Sequence, residues 1–150
     1  MRLEEGKDYL RCDFCKNFYF PTENEDGVRI LGEYSTLPCP VCAVPLVHAA
    51  VSGRRLFYCE HCRGMLVSMD LFEGLTEDLR ARVTHKGPAA PAPDPEELKR
   101  RLNCPHCRKP MDAHYYGGPG NIVIDDCSAC GFNWLDYGKL TRIIHAPGPV

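Results

Sequence analysis

A chain of 150 residues, 44% hydrophobic and 25% charged, has room for one or two globular domains. Its formal charge of −2 lacks the basic excess expected of a nucleic-acid-binding domain. No apolar run approaches the roughly 20 residues of a membrane span, and the first ten residues, with Glu4, Glu5, Lys7 and Asp8, lack the apolar core of a secretion signal, so a cytoplasmic location is expected.

Cysteine is the unusual component. All ten cysteines fall in Cys-x-x-Cys pairs: Cys12/Cys15, Cys39/Cys42, Cys59/Cys62, Cys104/Cys107 and Cys127/Cys130. In a reducing compartment such pairs bind metal rather than forming disulfides. Zinc suits them, because structural zinc takes four ligands in a tetrahedron and one tight two-residue gap lets both sulfurs of a pair reach one ion. Ligating cysteines are deprotonated, so two four-thiolate sites would move the formal charge to about −6.

In chain order, residues 1–38 form an N-terminal extension with one pair, Cys12/Cys15, the aromatic run Phe18-Tyr19-Phe20, an acidic loop at 23–27 and a strand candidate at 28–31. Its five basic and eight acidic residues concentrate acidity here, and it reads as a hairpin added to the sheet that follows. Residues 39–86 open on Cys39-Pro40-Val41-Cys42. Strand-like stretches at 46–51 and 55–58 flank Ser52-Gly53, and Cys59/Cys62 follow. An apolar turn leads to a helix that Ser68 caps, with Leu71, Phe72, Leu75, Leu79 and Val83 as its buried stripe. Residues 87–95 hold four prolines in nine residues and read as a stiff linker. Asp94, Pro95 and Glu97 then predict a capping box on a short helix over 95–102.

Residues 96–150 repeat the earlier arrangement. Cys104-Pro105-His106-Cys107 with Pro110-Met111 matches Cys39-Pro40-Val41-Cys42 with Pro45-Leu46, and a second pair, Cys127/Cys130, follows. Strand-like stretches at 111–116 and 122–124 flank a Gly-rich loop. Asp136 is expected to cap a helix carrying Leu140, Ile143 and Ile144, and Trp134 to pack a small core beside the metal.

The repeat therefore assigns Cys39, Cys42, Cys59 and Cys62 to one zinc site and Cys104, Cys107, Cys127 and Cys130 to another, giving at least two ions per chain. His61 and His106 sit inside knuckles that already supply two sulfurs and read as exposed turn residues, while His48 and His114 read as surface or packing residues. Cys12 and Cys15 are left over. They suit a third site completed by histidine or carboxylate, a zinc shared with the same pair of a second chain in a homodimer, a redox dithiol, or an empty remnant. Pairing them with Cys39/Cys42 would orphan Cys59/Cys62, against the order of the second copy.

Residues 39–76 and 104–144 resemble the transcription-factor-IIB-type zinc ribbon family of bacterial proteins. That family's pattern is C-P-x-C, a hairpin, then C-x-x-C and a G-x-W-L-D stretch with a short helix. Cys104-Pro105-His106-Cys107 and Cys127-Ser128-Ala129-Cys130-Gly131-Phe132-Asn133-Trp134-Leu135-Asp136 follow it closely. The first copy has Leu66-Val67-Ser68 where the pattern has Trp-Leu-Asp. The fold expected is a small metal-bound α+β fold of tandem zinc ribbons, β-hairpins with zinc knuckles, each followed by a short α-helix. The resemblance implies a link to transcription.

Four filled thiolate positions leave no open coordination site for chemistry. The function expected is a non-enzymatic protein-interaction module or adaptor, with a protein partner. The alternative is a nucleic-acid binder that uses Arg54/Arg55, Lys99/Arg100/Arg101 and Arg108/Lys109, although three acidic residues balance three basic ones within 88–103. A second alternative is a thiol redox protein acting through Cys12/Cys15.

Overall fold

The computed structural model describes residues 2–3, 10–11, 18–19, 22–24, 27–83, 87, 92, 94–116 and 120–147. Cys12 and Cys15, and with them every reading of that pair, lie outside these residues. Three two-residue strands, β1 (Arg2–Leu3), β2 (Leu10–Arg11) and β3 (Phe18–Tyr19), pair antiparallel in the order β1-β2-β3. They do not join the main sheet.

The main sheet has seven antiparallel strands: β4 (Arg29–Pro38), β5 (Pro45–Val51), β6 (Arg54–Tyr58), β7 (Met65–Ser68), β8 (Asp112–Tyr115), β9 (Val123–Cys127) and β10 (Phe132–Leu135). Their spatial order is β4-β5-β6-β7-β10-β9-β8, so the second repeat is laid against the first in reversed strand order. The seam is the pairing of β7 with β10, where Leu66 faces Trp134 and Val67 faces Asn133. Both segments were expected to be apolar turns. They are strands because each copy's last apolar run can satisfy its backbone hydrogen bonds on the other's.

Alternation along these strands builds two apolar layers. Val47, Ala49, Val51, Leu56, Tyr58, Met65, Val67, Ile124 and Leu135 face one way and join Phe72, Leu75, Leu140 and Ile143 of the two helices, α1 (Met69–Arg82) and α2 (Lys139–His145). Leu46, Leu66, Met111 and Trp134 belong to a second buried cluster with Cys39, Cys59, Cys104 and Cys127, and Phe57 and Phe132 pack against it. Trp134 is fully buried, as expected of a core residue beside the knuckles, and its ring sits where a Cβ on Gly64 would come within 2.4 Å of Cζ2. A glycine of the first ribbon thus makes room for the tryptophan of the second.

Ser68 caps α1, its Oγ accepting the Asp70 N–H at 3.3 Å. Of the predicted stripe, Phe72 and Leu75 are buried, Leu79 and Val83 are half-buried and Leu71 is exposed. Thr76 and Arg80 fill the buried face instead. The Arg80 guanidinium donates to the carbonyls of Ile143 and Ala146, satisfying the free C-terminal carbonyls of α2 with a side chain from α1.

Three further expectations are corrected. The segment after the linker is a single 3-10 turn, Pro95–Leu98, rather than a helix to residue 102. Asp94 does cap it, but Glu97 does not close a capping box: its carboxylate accepts from Lys139. Asp136 is not the cap of α2, which begins after left-handed Gly138. Its carboxylate instead accepts from Arg100, at 2.5 and 3.2 Å, and from the Trp134 indole N–H at 3.2 Å, and ion-pairs with Lys139. Arg100 also bonds Asp125, which is fully buried. Burial opposes the charge on both carboxylates. For Asp136 the Arg100 hydrogen bonds and the Lys139 charge win and hold its pKa below the usual range; for Asp125 burial wins and its pKa is raised.

Candidate metal centres

The four described Cys-x-x-Cys turns are local copies of one another. In each, the N–H of the residue after the second cysteine donates to the carbonyl of the first: Ala43 to Cys39, Arg63 to Cys59, Arg108 to Cys104 and Gly131 to Cys127, all at 2.8–2.9 Å. That residue is left-handed every time, with φ of 64°, 64°, 67° and 76°. Three further bonds, Cys39 N–H to Val44, Cys59 N–H to Gly64 and Cys104 N–H to Lys109, close the loop. The turn points both sulfurs of a pair the same way, and antiparallel pairing of the flanking strands brings two such turns together.

Two sets of four sulfurs result. The Sγ atoms of Cys39, Cys42, Cys59 and Cys62 lie within 4.8 Å of one another, and so do those of Cys104, Cys107, Cys127 and Cys130. In both sets the first cysteine of each turn is buried and the second partly exposed. None of the eight is in a disulfide. Two of the separations across turns, 3.7 Å for Cys39–Cys62 and for Cys107–Cys127, are far beyond a sulfur–sulfur bond. They match the edge of about 3.8 Å of a tetrahedron whose corners lie ~2.3 Å from its centre, which is the zinc–thiolate geometry. The donor set therefore fits zinc.

Electrostatics make the same point. Burial pushes the Cys39 thiol up to about 12 and the Cys62 thiol up to about 11, while Cys107, bonded by the Lys109 N–H, falls to about 7. Four clustered sulfurs resist becoming four thiolates unless a cation sits among them. The two clusters are positioned for two zinc ions.

The histidines separate into two kinds. His48 is half-buried against Phe57, with ring centres 5.1 Å apart, and exposed His114 pairs with Asp126 at 3.1 Å. His61 and His106 are exposed, as expected, yet each places Nδ1 beside a sulfur, at 3.2 Å from Cys42 and 3.3 Å from Cys130. Sequence spacing gave no sign of this, because each ring reaches across to the other turn of its site.

The basic clusters are largely committed. Arg54 pairs with Asp78 at 2.7 Å, Arg55 bonds His48, Lys99 pairs with Glu96 and Arg100 serves Asp125 and Asp136. Among the helices described, none is long and apolar enough to cross a membrane.

Comparison with known proteins returns one family. The model described as "Transcription factor zinc-finger" matches the chain twice, over residues 38–78 and 103–146. No curated protein and no solved structure matches it.

Proposed function

Because the chain belongs to the transcription factor zinc-finger family, we propose that it is a non-enzymatic adaptor that presents a protein-binding surface at the knuckle end of its first ribbon. Zinc binding and the transcription-factor-like domain come with the family. In this reading Cys39, Cys42, Cys59 and Cys62 hold one ion and Cys104, Cys107, Cys127 and Cys130 the other. With all four positions of each ion filled by sulfur, neither metal keeps a site for water or substrate.

The observation that carries the adaptor reading is the contrast between the two ribbon tips. In the first, Val41 and Val44 are 48% and 40% exposed, and Tyr34, 65% exposed, is tied to Glu60 of the adjoining turn at 2.8 Å. In the second ribbon the matching positions are His106 and Lys109, both exposed. Together these side chains offer a small exposed apolar surface for a partner to bury. The same turn with polar residues shows that the fold does not require valine there.

The nucleic-acid reading draws on Arg108 and Lys109, both exposed at the second tip. Two residues are a small electrostatic footprint beside a formal charge of −2. A test compares the tagged chain with a Val41→Asp/Val44→Asp variant. The adaptor reading expects a specific protein to co-purify with the parent and not with the variant, both keeping two zinc ions, and no gel shift of DNA or RNA at low salt. A salt-sensitive shift with no protein captured would replace it with the nucleic-acid reading.

A further inference from the structure

Hydrogen-bond donors of two kinds reach the sulfurs. Backbone N–H groups reach the sulfur of Cys39 from Val41 and Cys42, of Cys59 from His61 and Cys62, of Cys62 from Gly64, of Cys104 from His106 and Cys107, and of Cys107 from Lys109. Cys42 occupies in the first ribbon the place that Cys107 has in the second, and Cys130 the place that Cys62 has in the first. At these two sulfurs the donor is a histidine ring. His61, in the second turn of its ribbon, puts Nδ1 3.2 Å from Cys42 of the first turn, and His106, in the first turn of its ribbon, puts Nδ1 3.3 Å from Cys130 of the second.

The direction of these bonds follows from the chemistry. A zinc-bound thiolate has no proton and can only accept. The ring nitrogen facing it must then carry the hydrogen, so Nδ1–H donates to sulfur. Both accepting sulfurs are outer, partly exposed members of their sets, where water, chelators and electrophiles have access. The two rings come from opposite turns and converge on the same kind of atom, so local turn geometry alone does not account for them.

We infer that His61 and His106 belong to the two metal centres as positioning residues: each donates Nδ1–H to the exposed thiolate of its site, draws charge from that sulfur, and slows both its reaction with electrophiles and the escape of zinc. This rests on the reading that the eight cysteines hold zinc. Partners of ligating groups commonly change metal affinity by 10–100-fold, and an exposed donor belongs at the low end of that range.

The test uses the full chain loaded with zinc, with His61→Ala and His106→Ala made separately and His61→Gln and His106→Gln as variants that restore an N–H donor. Two rates are read: zinc transfer to a chromogenic chelator, and iodoacetamide labelling of each cysteine mapped by mass spectrometry. His61→Ala is expected to speed labelling of Cys42 and loss of the first zinc about tenfold, with Cys130 labelled at the parent rate while both ions are bound. His106→Ala should do the reverse, and the Gln variants should recover much of the protection. Each variant's untouched site reports that the fold is intact. Parent rates at Cys42 and Cys130 in the Ala variants, with two zinc ions retained, would overturn the inference. A parent chain lacking two zinc ions would instead overturn the metal reading beneath it.

Discussion

At the scale of single residues, two kinds of position decide whether the turns can form. The residue after each second cysteine is left-handed, and in three of the four described turns it is Ala43, Arg63 or Arg108 rather than glycine. A side chain there costs ~1–2 kcal/mol, and glycine returns part of that gain through its greater freedom when unfolded. Ala43→Gly and Arg108→Gly are therefore expected to raise stability by about 0.5–1 kcal/mol, read as a higher denaturant midpoint at fixed zinc. Gly64 has the opposite constraint. Its missing side chain is the space occupied by the Trp134 ring. Because Trp134 is fully buried, Gly64→Ala should cost about 1–3 kcal/mol through overpacking, and Trp134→Ala about 3–5 kcal/mol. A Gly64→Ala variant with the parent midpoint would show that the two ribbons do not meet at this ring.

At the scale of elements, the hairpins and knuckles could be read from the sequence because their signals are local. Cys-x-x-Cys spacing, Ser52-Gly53 at a turn and Ser68 before an apolar stripe each speak for their own few residues. The strands β7 and β10 could not, since a four-residue stretch with three apolar residues after a knuckle looks the same whether it turns or pairs, and the pairing partner lies in the other copy. Asp136 misled for a related reason: its spacing suits a helix cap, but Arg100 and Lys139 compete for its carboxylate and a left-handed glycine starts α2 instead. The 3-10 turn is tied to the second ribbon by charge, Glu97 pairing with Lys139, and Arg100 just beyond it adds its bonds to Asp125 and Asp136. Removing Arg100 would leave Asp125 buried with a charge and no cationic hydrogen-bond donor. Arg100→Ala is expected to cost about 2–3 kcal/mol, below the range for fully buried pairs because the Arg100 side chain is 34% exposed. Thermal unfolding of the zinc-loaded variant measures it.

At the scale of the whole molecule, the seam joins two units that are each small for a self-sufficient core. The second apolar cluster holds cysteines and large apolar residues from both ribbons, with Leu46 and Leu66 from the first and Met111 and Trp134 from the second. The metal sites are therefore coupled through a shared interior. Cys127→Ala, which dismantles one site, is expected to weaken zinc retention at the other, and the intact chain should unfold in one transition on chelation. Two separate transitions would show that the ribbons behave independently. Thiolates gathered around zinc hold both ribbons together, and native mass spectrometry of the gently purified protein tests that directly. The same sample is treated with a thiol-alkylating reagent before and after chelation. Two zinc ions should remain per chain when Cys12 and Cys15 are replaced by alanine, with the other eight cysteines protected until the metal is withdrawn. A chain without stoichiometric metal, or one whose eight sulfurs are joined as disulfides, would contradict it.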